Sequence, residues 1–113
     1  MQITIREDEG VTILALDGKL VIGDGDVALR DTLKEQLDAG AKKLLLNLKN
    51  VKTMDSSGLG ELIRCKASAN SADASIRLVH VEDKVEEVLE MTRLIGVFET
   101  YDNEIDAVAS YRD

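Results

Sequence analysis

Cysteine, proline and aromatic residues are scarce in this chain of 113 residues, and each scarcity excludes a class of structure. With Cys65 as the only cysteine, no internal disulfide can form, nor can a zinc site be built from several thiolates. Proline is absent, so turns must rely on glycine, asparagine, aspartate or serine. No apolar run approaches the roughly 18 residues of a membrane-spanning helix, and the start does not resemble a signal peptide. We therefore predict a cytoplasmic protein without membrane insertion.

Basic residues are also in deficit, since 14 Lys and Arg face 22 Asp and Glu, giving a formal net charge of −8. A negative chain is repelled by phosphate backbones, which argues against nucleic acid as a partner. The imbalance is uneven, because residues 41–80 hold 7 basic and 3 acidic residues between two acidic ends. This basic middle segment forms either one surface patch or a set of ordinary solvated positions.

Hydrophobic periodicity predicts a single α/β domain over residues 1–113, with one mixed sheet and helices packed on it. Two short apolar runs on either side of Gly10 indicate an antiparallel hairpin, and helical and strand patterns alternate after it. The predicted elements are strands 2–6 and 11–16, helix 26–39 capped by Asp26 and stopped by Gly40, buried parallel strand 43–48, a helix after Gly58, strand 76–81, helix 84–91, strand 97–101 and a closing helix from Asn103 to Tyr111. We expect Leu45, Leu46, Leu48, Leu62 and Ile63 at the centre of the core.

One segment, residues 51–60, places two hydroxyls and a carboxylate between a buried strand and an amphipathic helix. The first N–H groups of a helix lack intrahelical partners and the dipole favours negative charge there, so a phosphate on a serine would be stabilised. The alternative is purely structural, with Asp55 or Ser56 capping the helix and the glycines loosening the turn. A nucleophilic serine is less favoured, because His80 is the only histidine and a G-x-S-x-G elbow is absent.

The sequence Met-Asp-Ser-Ser-Gly-Leu-Gly at residues 54–60 resembles the signature of STAS domains of the bacterial anti-sigma factor antagonist family. The resemblance extends over nearly the whole chain in the same order. It includes a hairpin ending in Gly-x-Leu at residues 18–20, the strand at 44–48, and the C-terminal segments 94–99 and 104–108. The fold class that it implies is the one that periodicity predicts independently.

The resemblance implies a regulatory switch, not an enzyme. Ser57 is the expected phosphorylation site, and the partner is an anti-sigma factor that is also a serine kinase of the GHKL type. Phosphorylation breaks the complex, and a PP2C-type phosphatase restores it. ATP and magnesium belong to the kinase, so no cofactor is expected here. The residues expected to shape the phosphorylation turn and bind the partner are Asp55, Ser56, Gly58, Leu59 and Gly60, with Asp24 and Asp26 nearby.

One position departs from the family pattern. Many members carry an acidic residue directly after Gly-x-Leu, where this chain has Val21. Asp24 or Asp26 would supply the missing carboxylate, or else the protein docks on a different partner. The alternative function is a STAS scaffold or accessory subunit, in a stressosome-like or lipid-transport complex, without a working phosphorylation switch.

Overall fold

The computed structural model describes residues 1–112, which form one five-stranded sheet and four α-helices. The elements are β1 (Gln2–Asp8), β2 (Val11–Leu20), α1 (Gly25–Asp38), β3 (Lys43–Met54), α2 (Ser56–Ser71), β4 (Ser75–Val79), α3 (Asp83–Met91), a 3-10 turn (Ile95–Val97), β5 (Thr100–Tyr101) and α4 (Glu104–Ala109). This order confirms the predicted α/β class with a mixed sheet. Of the helices in this part of the chain, none has the length and hydropathy that crossing a membrane requires.

The sheet has the spatial order β1-β2-β3-β4-β5, and only β1 runs antiparallel to its neighbour. Asp8 pairs with Val11, so Glu9 and Gly10 form a two-residue hairpin loop. Both loop residues have positive φ, at 51° and 80°, as a type I′ turn requires. The hairpin predicted around Gly10 is therefore confirmed.

Strand β3 is the centre of the sheet, because it pairs in parallel with both β2 and β4. Its side chains alternate between the two faces, with Leu44, Leu46 and Leu48 under α1, α2 and α3, and Leu45 under α4. Both faces are covered, which explains the nearly continuous apolar run in the sequence. The predicted parallel strand is confirmed, although it extends to Met54 at its C-terminal end.

Helices α1, α2 and α3 cover one face of the sheet, and α4 covers the other. The larger core lies on the three-helix face, where α1 contributes Leu29 and Leu33 and α2 contributes Leu62 and Ala69. The smaller core joins α4 to Val11, Ile13, Leu45 and Val79. The expected core residue Leu45 therefore belongs to the smaller core, apart from the other leucines of β3.

Three expectations from the sequence are wrong. Asp26 is not the cap of α1, because the helix begins one residue earlier and Asp24 occupies the N-cap position without a side-chain hydrogen bond. Ile63 is 36% exposed and lies outside the core, because α2 turns its neighbour Leu62 toward the sheet. The predicted strand at 97–101 is reduced to β5, since only two of its residues pair with the end of the short strand β4.

Helix ends elsewhere follow the predicted local signals. Gly40, at φ 97°, closes α1 by donating its N–H to the Leu37 carbonyl. Asn103 caps α4 by accepting the Asp106 N–H at 2.8 Å. Both predictions depended on contacts within a few residues, and both are confirmed.

Candidate functional site

The predicted phosphorylation turn, residues 54–60, lies where β3 ends and α2 begins. Strand β2 runs parallel to β3, so the loop that follows Leu20 emerges at the same edge of the sheet. Leu20 pairs with Met54 in the last register position, and the Asp55 N–H donates to the Leu20 carbonyl at 3.3 Å. The turn and the loop at residues 21–24 therefore form one surface at the carboxyl edge of the sheet.

Asp55 holds this surface together through both carboxylate oxygens. Oδ1 accepts the Gly58 N–H at 2.9 Å, which makes Asp55 the N-cap of α2. Oδ2 accepts the N–H of Ile22 at 3.1 Å, so the same side chain ties down the neighbouring loop. The Leu59 N–H donates to the Asp55 carbonyl at 2.9 Å and closes the first turn of the helix. Asp55 is thus both a helix cap and a tether between two loops.

These hydrogen bonds stabilise the ionised carboxylate. The Gly58 N–H, followed by the Ile22 N–H, lowers the pKa of Asp55 below its ordinary value of 3.8. A carboxyl group whose pKa is lowered on folding contributes stability above its unfolded pKa and loses it as the pH falls through the folded pKa. The tether is therefore fully formed at neutral pH.

Ser56 and Ser57 are the first two residues of α2. Ser56 is exposed, whereas Ser57 is half-buried. Gly58 and Leu59 are buried behind them, and Gly60 is half-buried. Both hydroxyls belong to residues at the positive end of the helix dipole, where a negative group is stabilised.

Gly58 is required by close packing, and Gly60 is not. A Cβ on Gly58 would lie 1.9 Å from the Leu20 carbonyl oxygen and 2.8 Å from its carbonyl carbon. Nothing lies within 4 Å of the position that a Cβ on Gly60 would occupy. Gly58 thus lets the start of α2 sit directly on the end of β2.

We expect Gly58→Ala to destabilise the protein by about 2–3 kcal/mol, because backbone must move to admit the methyl group. Gly60→Ala is the matched control in the same helix turn and should stabilise by about 0.5–1 kcal/mol through helix propensity. Urea denaturation of both variants measures the difference. A loss of stability in Gly60→Ala equal to that in Gly58→Ala would contradict this packing argument.

Within residues 1–112, the carboxylates of Asp24 and Asp26, the proposed substitutes for the acidic residue missing at Val21, form no hydrogen bond with the turn. The Asp24 carboxylate binds the amino group of Met1 at 2.6 Å. Asp26 is buried, and its Oδ1 accepts the N–H of Val27 at 2.7 Å. Asp24 is thus engaged with the first residue of the chain and Asp26 with the start of its own helix, although the loop that leads to them is bound to the turn.

Sequence reasoning missed Ile22 as a member of this site. Its backbone is held by Asp55, yet its side chain is 71% exposed. Val27, at the start of α1, is also exposed at 41%. The only local signal was an isoleucine within a loop of Gly and Asp residues, where nothing in the surrounding sequence would bury it.

Glu61, one turn after Ser57, is a second residue that sequence reasoning missed. It is only 2% exposed, and its Oε1 accepts from Arg30 Nε at 3.0 Å and from Arg64 Nη1 at 2.8 Å. A buried carboxylate needs such partners to offset its desolvation. This arrangement joins α1 to the first half of α2.

The basic middle segment does not form one patch. Arg64 is bound to Glu61 on the three-helix side of the sheet. Arg77 is on the opposite face, where its guanidinium lies 4.1 Å from the centre of the Tyr111 ring and pairs with Glu99.

Within residues 1–112, no group of three or more His, Cys, Asp or Glu residues is placed to hold a metal ion. His80 Nδ1 is 3.1 Å from Glu82 Oε2.

Comparisons with known proteins agree on one family. The family model described as STAS domain matches residues 2–107. An anti-sigma F factor antagonist of Paenibacillus polymyxa is 30% identical over 113 residues, covering 96% of this chain and 92% of that protein. A candidate anti-sigma factor antagonist of Thermotoga maritima, known from a crystal structure, is 28% identical with a TM-score of 0.89, covering 98% of this chain and 95% of the other. The phosphorylated form of the Bacillus cell fate determinant SpoIIAA has the same fold at 17% identity, with a TM-score of 0.74 and coverage of 98% and 100%.

Proposed function

The chain belongs to the STAS domain family, in its group of anti-sigma factor antagonists, and we propose that it switches partners through phosphorylation of Ser57. The unphosphorylated protein binds an anti-sigma factor and frees the sigma factor that this partner would otherwise hold. The partner is also a serine kinase of the GHKL type, which releases itself by phosphorylating Ser57. A PP2C-type phosphatase removes the phosphate and restores binding.

The observation that carries this proposal is the double role of Asp55. It binds the N–H groups of Gly58 and Ile22, and so ties the helix start that contains Ser57 to the loop that contains the exposed side chain of Ile22. An isolated exposed isoleucine is ordinary, but one on a loop that is bound to a helix start with two hydroxyls offers a partner both apolar and polar contact. The purely structural alternative explains the cap, and the bond from Asp55 to a second loop is what supports the proposal beyond it.

Phosphorylation changes the charge of this surface at one point. A neutral hydroxyl can lie at the centre of an interface at little cost, whereas a phosphate adds about −1.5 to −2 charges at neutral pH. If the group is desolvated by the partner and left unpaired, the complex loses affinity. The chain's net charge of −8 adds to the repulsion of any partner with an acidic contact surface.

We expect Ser57→Ala to bind the anti-sigma factor normally and to remain bound when ATP and magnesium are added. The substitution removes no hydrogen bond of the cap, because Asp55 supplies it, so stability should change by less than about 1 kcal/mol. Gel filtration of the complex before and after ATP measures retention, and intact mass measures the added phosphate.

Ser56→Ala is the matched control, since it removes the neighbouring hydroxyl from the same helix start. The partner should phosphorylate Ser56→Ala, and the complex should then dissociate, as it does with the wild-type protein. If Ser56→Ala were no longer phosphorylated while Ser57→Ala still was, the phosphorylated residue would be Ser56 and the assignment to Ser57 would be wrong. If protein purified from its own host carried no covalently bound phosphate under any growth condition, the scaffold function would be favoured instead.

A further inference from the structure

A groove separates α1 from α2 on the outer side of the three-helix layer. Its volume is about 340 Å³, which is within the usual range for small-molecule pockets of about 300–1,000 Å³. Leu33 and Cys65 are buried in its wall, and Leu37 is half-buried. Burial raises the pKa of the Cys65 thiol to about 12, so this group is uncharged at neutral pH. Much of the groove wall is therefore apolar and neutral.

The groove also contains the buried charge cluster centred on Glu61. Arg30 reaches Glu61 through Nε and Arg64 through Nη1, while their side chains remain 47% and 61% exposed. A guanidinium has five N–H donors, so both retain donors that can point toward a ligand. Two cations around one carboxylate leave a local charge of +1.

The remaining charges on the groove cancel. Lys34 Nζ is 3.2 Å from Asp38 Oδ2, an exposed pair one helical turn apart. The groove therefore has a net charge of +1 in a chain whose net charge is −8. A forked guanidinium suits carboxylate and phosphate oxygens, which it can bind through two N–H groups.

We propose that this groove binds a small amphipathic anion, with a carboxylate or phosphate head on the guanidiniums of Arg30 and Arg64 and an aliphatic body against Leu33 and Leu37. The charge requires an anionic head, and the wall requires an apolar body. The buried carboxylate of Glu61 holds the two guanidiniums at the groove before any ligand arrives. This inference is independent of the phosphorylation proposal, because Ser57 contributes nothing to the groove lining.

The test is a titration of isotope-labelled protein with sodium decanoate below its micelle concentration, followed by backbone amide NMR. Saturable shifts are expected at residues of α1 and α2 that line the groove. Decyl phosphate should also bind, and the ratio of its dissociation constant to that of decanoate shows which head group the groove prefers. Decanol and decyltrimethylammonium share the aliphatic body without the anion and should bind at least about tenfold more weakly. Acetate, which has the head without the body, should also be weak.

Two variants and one control complete the test. Arg64→Gln should weaken decanoate binding about tenfold by removing one guanidinium. Ser68→Phe fills the groove from an exposed position without changing charge and should abolish saturable binding. Arg93→Gln removes a positive charge from an exposed position outside the groove and should leave binding unchanged.

Several results would overturn the proposal: decanol binding as tightly as decanoate, shifts centred away from α1 and α2, no saturable shifts, or decanoate binding unaffected by both Arg64→Gln and Ser68→Phe. Melting curves of each variant confirm that it is folded before titration. A titration that shows no decanoate binding leaves the partner-switching proposal intact, because that proposal is tested by measuring phosphorylation and complex formation.

Discussion

Leu46→Ala should lower the free energy of unfolding by about 2–5 kcal/mol, a large part of the total of about 5–15 kcal/mol that a small domain has. Leu46 is fully buried on the central strand, which pairs with a neighbour on each side. Its side chain faces the core beneath three helices. Truncation would leave a cavity there that the surrounding packed side chains cannot easily fill. Urea denaturation with linear extrapolation measures the change.

Ile63→Ala is the matched control, because it truncates another large aliphatic side chain that the sequence alone places in the same core. At 36% exposure it should cost less than about 1 kcal/mol. A melt unchanged by Leu46→Ala, or an equal loss from both variants, would show that the strand or the helix face is misplaced.

Ile63 shows why helical spacing locates a helix better than it orients one. Leu62 and Ile63 are adjacent, so both fall within a broad apolar stripe, and spacing alone does not decide which faces the sheet. In the structure the buried side of α2 includes Glu61 and Cys65 as well as Leu62, because α1 packs against it there. A glutamate counts as solvent-facing in any local pattern, so the sequence-based assignment placed Leu62 correctly but extended the buried face to Ile63 and left out Glu61.

Burial of Glu61 depends on Arg30, which is 31 positions earlier in the chain. No motif or periodicity relates two such residues before the helices are packed. The parts of the site that could be predicted depend on short separations, as in the cap from Asp55 to Gly58, three residues apart. Hydrogen bonds between residues a few positions apart can be predicted from the sequence. Hydrogen bonds between residues that the packing of helices and strands brings together cannot.

The loop after β2 illustrates the same limit. Asp24 and Asp26 were plausible substitutes for the acidic residue absent at Val21, because they lie close in sequence. The contact that joins the loop to the turn is instead made by the backbone of Ile22, 33 residues from Asp55. Any residue except proline can donate a backbone N–H, so side-chain identity at position 22 carries no signal of this bond.

Ser57→Asp should keep the fold and thermal stability of the wild-type protein. It should bind the anti-sigma factor at least about 100-fold more weakly than the unphosphorylated wild-type protein does. An acidic residue in the first turn of a helix is tolerated or slightly stabilising, by about 0.3–1 kcal/mol. An unpaired charge desolvated in an interface typically costs about 2–5 kcal/mol, which is the origin of the expected loss. Calorimetry with the purified partner measures affinity, and thermal melts measure stability.

Ser56→Asp is the control of equal charge, placed one residue away on the exposed side of the same helix start. It should weaken binding less than Ser57→Asp if Ser57 lies at the centre of the contact. Raising the salt concentration should restore only part of the affinity of Ser57→Asp, because charges buried in an interface are screened less than exposed ones. Full recovery at high salt would indicate long-range repulsion instead.

The structure favours a local effect over a change of the whole domain. Three contacts hold the start of α2 on the end of β2: the Asp55 N–H bond to Leu20, the Ile22 N–H bond to Asp55, and the packing of Gly58 on the Leu20 carbonyl. Two of the cations close in sequence have other partners, since Arg64 binds Glu61 and Lys66 lies 6.0 Å from the centre of the Phe98 ring. We therefore expect the helix N-terminus to stabilise the added charge without rearrangement of the fold. Backbone amide shifts in Ser57→Asp should be confined to the turn and the loop at residues 21–24, and shifts spread across β1 and β5 would establish a conformational mechanism instead.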